Sequence, residues 1–179
     1  DEPFMSFASL FPQFKDRTLV VNGLSKAYSM TGWRVGYGAG PSPLIKAMTD
    51  MQSHITSNIC SIAQGAAVAA LKGPHDFLKE WTEDFKKRRD YMVRELNKIQ
   101  GISCFQPGGA FYVFPNVSGL LGKKTPEGKI LCTDDDIAQY FLEKCHLVTV
   151  PGSAFGLSPY LRMSYAVSLE TLEEAMSRM

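Results

Sequence analysis

Lys26 is the side chain whose setting in this sequence most suggests covalent chemistry. It follows the apolar, β-branched run Thr18-Leu19-Val20-Val21-Asn22 and the turn residue Gly23, and Gly32 and Arg34 lie shortly beyond it. A primary amine is a nucleophile once deprotonated, burial favours its neutral form, and such an amine forms a Schiff base with an aldehyde. The Arg34 guanidinium offers a planar fork of donors that fits a phosphate. A lysine on a turn at a strand end, with an arginine in the same glycine-containing segment, therefore suits an aldehyde cofactor that carries a phosphate. Taken alone, a lysine and an arginine at this separation are nearly always structural. Arg162 is the second residue of interest, because it interrupts the apolar run Tyr160-Leu161-Arg162-Met163-Ser164-Tyr165. A buried arginine there needs a partner charge, and the alternative is an arginine bridging two surface elements.

The elements that must hold these residues are readable from periodicity. Residues 18–22 predict a buried strand whose C-terminal end delivers Lys26, the place where ligands collect in α/β sheets. Val35 to Ala39, broken by Gly36 and Gly38, predicts a strand packed closely on other backbone. A helix starts at Ser42, with Leu44, Ile45, Met48 and Met51 at helical spacing, and an alanine-rich helix spans Ser61 to Leu71. A long helix from about His75 to Gln100 carries an apolar stripe of Phe77, Trp81, Phe85, Tyr91, Met92 and Leu96, with the basic cluster Lys86 to Arg89 on a solvated face. Ser57-Asn58 precedes a helix and reads as an ordinary N-cap. Beyond Gly101 the pattern shortens: strand Ala110 to Pro115, helix Asp134 to Cys145, strand Leu147 to Val150, strand Tyr160 to Ala166, helix Leu169 to Met179. Residues 116–133 predict an exposed loop or insertion. The order suggests a compact α/β unit.

Composition narrows the function classes. With 19 basic and 18 acidic residues, the formal charge of +1 gives no broad field to gather nucleic acid or an anionic membrane. Cys60, Cys104, Cys132 and Cys145 form no CxxC pair and lie in segments that read as core, which fits free thiols in a reducing, cytoplasmic setting. His54, His75 and His146 show no metal-ligand spacing, so no metal is expected. No apolar run reaches membrane-spanning length, and the start lacks the pattern of a signal peptide. Asp1-Glu2-Pro3 runs straight into Phe4, Met5 and Phe7, as though cut from a longer chain. Dinucleotide binding at Gly36, Gly38 and Gly40 fails on glycine spacing, on Pro41 and on the lack of a following acidic residue.

The whole segment Asn22-Gly23-Leu24-Ser25-Lys26-Ala27-Tyr28-Ser29-Met30-Thr31-Gly32-Trp33-Arg34-Val35-Gly36 is more specific than its parts. It is similar to the lysine signature of the class I and II pyridoxal-phosphate (PLP) aminotransferases, in which Ser-Lys precedes Met-x-Gly-x-Arg-x-Gly. A second match is Pro151-Gly152-Ser153-Ala154-Phe155-Gly156 followed by the strand of Arg162, and Pro107-Gly108-Gly109-Ala110-Phe111-Tyr112 resembles the family's small-domain loop near the substrate. The resemblance covers essentially the whole chain and leans toward bacterial aspartate and aspartate/prephenate aminotransferases.

What the resemblance implies is an α/β fold: the C-terminal part of a PLP-binding large domain over residues 1–85, then a small α/β domain over 86–179. It implies that Lys26 carries PLP and moves the proton between Cα and the cofactor's C4′, that Arg34 binds the phosphate with Ser25 assisting, and that Arg162 pairs with the substrate's α-carboxylate. Phe111 or Tyr112 closes over the ligand or packs in the core, and Ser57-Asn58 faces a subunit interface. The expected partners are an amino acid, a 2-oxo acid and a second copy of the protein. The pyridine-nitrogen carboxylate is expected upstream, since Asp1 stands too near Lys26 for the family's Asp-Glu-x-Tyr motif. The chain by itself is then an inactive fragment. Another PLP chemistry such as a carbon-sulfur lyase, and for this chain a non-catalytic dimerisation module, are the alternatives.

Overall fold

The computed structural model describes residues 4–179, and Asp1 lies outside the described residues. The chain is mixed α/β and divides inside one long helix into two compact units, the first running to Lys79 and the second from Glu80 to Met179. Among the described residues no helix is long and apolar enough to cross a membrane.

The first unit opens with a short helix, α1 (Phe7–Leu10), capped by the Ser6 hydroxyl, and a 3-10 turn over Pro12–Arg17. Strands β1 (Val20–Gly23) and β2 (Gly36–Ala39) pair antiparallel, from Val20 opposite Ala39 to Gly23 opposite Gly36. The expected close approach is visible at Gly36, where a Cβ would sit 2.9 Å from the Asn22 carbonyl oxygen. The expectation of a buried β1 fails. Val21 is 75% exposed, and β1 pairs with β2 alone in a ribbon of two strands. Helix α2 (Ser42–Ile55) starts behind Pro41 and buries none of its residues, whereas α3 (Ser61–Lys72) presents Ala63 to a small core with Leu24, Met30 and Val35.

Helix α4 (Asp76–Leu96) joins the units and ends before the predicted Gln100. Asn97 stops it: its amide nitrogen donates to the carbonyls of Val93 and Cys104, and its amide oxygen accepts from the Cys104 N–H. The chain is thus turned back after α4 to begin the second unit's sheet. That sheet has the order β3 (Tyr112–Val113), β5 (Leu161–Ser164), β4 (Val150–Pro151), all antiparallel, with β5 central. Helix α5 (Asp134–Tyr140) continues as a π turn over Phe141–Cys145, and α6 (Leu169–Ser177) closes the chain. Met92, Leu96, Val113, Ile137, Leu161, Tyr165 and Leu172 meet in one core, and each fully buried aliphatic side chain there contributes roughly 1.5–3 kcal/mol.

Three expectations are modified, two in this unit and one across both. Residues 116–133 are exposed over most of their length, as expected of a loop, but Val117 and Leu131 are buried in the core and the Lys124–Ile130 bridge folds the segment on itself. The basic cluster is not wholly solvated, because Arg89 is buried, donating to Asp90 and to the Pro107 carbonyl. Of the cysteines, Cys104 and Cys145 are buried as expected, but Cys60 and Cys132 are exposed, since each stands at the start of a helix rather than within one.

Candidate functional site

Ser25, Lys26 and Arg34 all belong to the connection that joins β1 to β2. Its base is closed by the Leu24 N–H on the Val35 carbonyl at 3.4 Å, and its first turn by Tyr28 N–H on Leu24 and Ser29 N–H on Lys26. Leu24, Met30 and Val35 point into the core against α3, which pins the loop at three places along its length. A loop so anchored holds its polar residues in place without a regular element under each of them. Lys26 itself is exposed in this chain, so the burial expected to favour its neutral amine is not supplied by residues 4–179. Ser25 is half-buried.

Arg34 has a left-handed backbone, φ 52°, and so does Ser29 at φ 53°. For residues with a Cβ that conformation costs about 1–2 kcal/mol, and such strain gathers at functional loops. Arg34 Nη1 donates to the Thr31 carbonyl at 2.7 Å. The guanidinium stays exposed and faces an open cleft of about 770 Å³, lined among others by Ser29, Trp33, Arg34, Asn58, Cys60 and Ile62. Lys26 is not among its walls.

The cleft's far side corrects the N-cap expectation. Position N-cap of α3 is Cys60 with no side-chain bond, while Ser57 is left-handed at φ 64° and the Asn58 amide donates to the Ile59 carbonyl. The structure thus brings Arg34 and Asn58 to one cleft. The Cys60 thiol is held below its ordinary value by the backbone N–H groups of Ala63 and Ile62 at the helix start.

Arg162 lies in the second unit, on the central strand opposite Val150. It is half-buried, and among the described residues its partner is not a charge. The guanidinium carbon stands 4.5 Å from the ring centre of Tyr112 and 4.5 Å from that of Phe155. Two aromatic faces stabilise the cation and fix its plane without consuming N–H donors, which suits capture of a carboxylate. Phe111 packs toward Phe85, and Tyr112 stands over Arg162.

The surroundings contain residues that sequence reasoning did not single out. Tyr165 donates its hydroxyl to the Ala110 carbonyl at 3.0 Å, and with Arg89 on Pro107 it fixes the loop that precedes Tyr112. Asp134, only 2% exposed, accepts from the Ser153 N–H and the Ser158 hydroxyl at 2.8 and 2.9 Å. Burial pushes its pKa up, yet these donors outweigh that and leave it below the ordinary value. Phe155 was inside a recognised motif, but nothing in its type announced an arginine beneath it.

Comparison with known proteins follows the same lines. Residues 4–179 match the family described as aminotransferase class I and II. The aspartate aminotransferase of Rhizobium meliloti strain 1021 is 57% identical over 175 residues, covering 98% of this chain and 43% of that protein. A Rickettsia felis protein named "Probable aspartate/prephenate aminotransferase" is 49% identical over 99% of this chain and 44% of its own length. The crystal structure of the aspartate aminotransferase from Rhizobium meliloti superposes with a TM-score of 0.93 at 56% identity, covering 98% of this chain and 44% of that one. An aromatic aminotransferase from Pyrococcus horikoshii gives 0.83 at 36% identity, over 99% and 46%. The chain spans less than half the length of these relatives, yet matches the family from Phe4 to its end: it belongs to the class I and II aminotransferases.

Proposed function

We propose that this chain is the C-terminal part of a PLP-dependent enzyme that moves an amino group between an amino acid, aspartate being the first candidate, and a 2-oxo acid. The observation that carries the reading is the anchored β1–β2 connection, which holds Ser25, Lys26 and Arg34 within one rigid segment. Residues up to 85 form the end of the cofactor-binding domain and residues 86–179 a small domain. The active enzyme is a homodimer.

The residues present fit the cofactor that the family implies. The exposed Arg34 fork suits a phosphate, with Ser25 able to add a hydroxyl donor, and Lys26 supplies the amine for the aldehyde. When bound, PLP serves as the electron sink for a pair left at the substrate's Cα. Lys26 Nζ holds the cofactor and then carries the proton to and from Cα. Arg162, flanked by the rings of Tyr112 and Phe155, grips the substrate's α-carboxylate.

The test is incubation of the 179-residue chain, and of the longer enzyme, with PLP, followed by borohydride reduction and peptide mapping. A reduced adduct on Lys26 in the longer enzyme, absent or weak in the chain alone, supports both the lysine and the division of the site. An adduct on another lysine, or none in either protein, overturns the reading. The chain alone is expected to show no turnover of aspartate with 2-oxoglutarate.

A further inference from the structure

Among the described residues Asp134 is the one buried carboxylate, and it makes no ion pair with any of them. Its two oxygens instead take donors from the two ends of a single loop. Oδ2 accepts from the Ser153 N–H and Oδ1 from the Ser158 hydroxyl. Between those points lies Phe155, the last residue of the 3-10 turn Gly152–Phe155 and the ring over Arg162. The loop is otherwise exposed, with Phe155 49% and Leu157 48% accessible, and its base is closed by the Gly152 N–H on the Tyr160 carbonyl at 2.7 Å.

A loop with little apolar burial gains its geometry from few contacts, so a buried acceptor at each end dominates where its tip lies. The base leaves no slack either: a Cβ on Gly152 would come within 2.2 Å of the Leu157 carbonyl oxygen. Phe155 also meets Phe114 edge to face at 6.3 Å, and Phe114 stacks on Tyr160 at 5.1 Å. Those rings locate the aromatic layer, while the Asp134 carboxylate fixes the height of the loop above it.

We propose that Asp134 is a positioning residue for the carboxylate clamp: by holding both ends of the Gly152–Ser158 loop it sets Phe155 on Arg162 and thereby the plane of the guanidinium. The inference rests on the reading of Arg162 as the carboxylate anchor. Asp134 touches no ligand in this scheme, and it acts through Phe155.

The first readout is the Arg162 Nε–H resonance of the 179-residue chain, which the Tyr112 and Phe155 ring currents displace. Asp134→Ala is expected to abolish the Phe155 part of that displacement, while Val113 and Leu161 amide shifts in the core persist. Asp134→Asn, whose amide oxygen still accepts from Ser153, is expected to restore most of it. In the longer holoenzyme the same loss raises KM for the amino acid about tenfold with kcat nearly unchanged, the signature of weakened binding common to ground and transition states. Phe155→Leu, which removes the ring without touching the buried carboxylate, reproduces the KM effect and decides the matter if Asp134→Ala does not fold. Unmoved Arg162 resonance and KM in folded Asp134→Ala, or unmoved KM in Phe155→Leu, overturns the inference alone. Unchanged KM in Arg162→Lys overturns the anchor reading and the inference with it.

Discussion

At the scale of single residues, Arg162 shows how a cation survives half-burial without an opposite charge. Its charge is met by two ring faces, and its N–H groups are left for a ligand. Lysine keeps the charge but loses both the planar fork and the stacking surface. Arg162→Lys in the longer enzyme is therefore expected to lower kcat/KM for the amino acid by roughly 10- to 150-fold, corresponding to about 1.5–3 kcal/mol for a charged hydrogen-bonded pair. Steady-state kinetics with aspartate and 2-oxoglutarate check this, and a change below threefold would remove Arg162 from the substrate site. Lys26, Arg34 and Arg162 stand out in the sequence as candidates because residue type within a specific pattern carries the resemblance. Asp134 is not, since Asp134, Asp135 and Asp136 all read equally as charge at a helix start. Which of the three is buried depends on a loop that returns from Ser153, and no local pattern encodes that.

At the scale of elements, those three aspartates separate into different tasks at the head of α5. Asp136 forms the capping box with Thr133, accepts from the Cys132 N–H at 3.0 Å and pairs with Lys129 at 2.9 Å. The Lys129 ammonium first, then the Cys132 amide, push its pKa from 3.8 down to about 2. A folded-state pKa below the unfolded one means that the stabilisation is present above 3.8 and is lost as pH falls toward about 2. The melting temperature of the second unit, followed by near-ultraviolet dichroism, should therefore decline through that window, and the difference from Asp136→Asn should shrink to nothing at its acid end. A difference that persists unchanged below pH 2.5 would contradict the assignment. The helices here were readable from period and breaker residues, to within a few positions at their ends. The strands were overextended, because β3 and β4 keep only two ladder residues each while Phe111 and Leu147 beside them still pack in the core. Hydrophobic pattern reports burial, and in short irregular strands burial outlasts the ladder.

At the scale of the whole chain, the two units differ in how much core they own. The second gathers Met92, Leu96, Val113, Ile137, Phe141, Leu161, Tyr165 and others into one cluster, whereas among the described residues the first buries only Leu24, Met30, Val35 and Ala63 together. Helix α2 is amphipathic in sequence but leaves Leu44, Met48, Met51 and Ile55 at 40–72% exposure, and Val21 and Ile62 are exposed above 70%. An apolar stripe without cover stabilises nothing while it faces water, and the relatives of this chain are more than twice its length. The first unit should therefore be the weaker folding unit when the 179-residue chain stands alone. Denaturant titration is expected to give two transitions, the first reporting Trp33 and the second the near-ultraviolet signal of Tyr112 and Tyr165. Amides of β1, β2 and α3 should exchange hydrogen at least tenfold faster than those of β5 and α6, since opening a smaller core costs less. A dye that binds apolar surface should bind the native chain and be lost when Met51 and Ile55 are both changed to Glu. A single transition seen by both probes, with uniform exchange, would mean that the small core of the first unit is as cooperative as the large one, and that its exposed apolar residues are tolerated without cost.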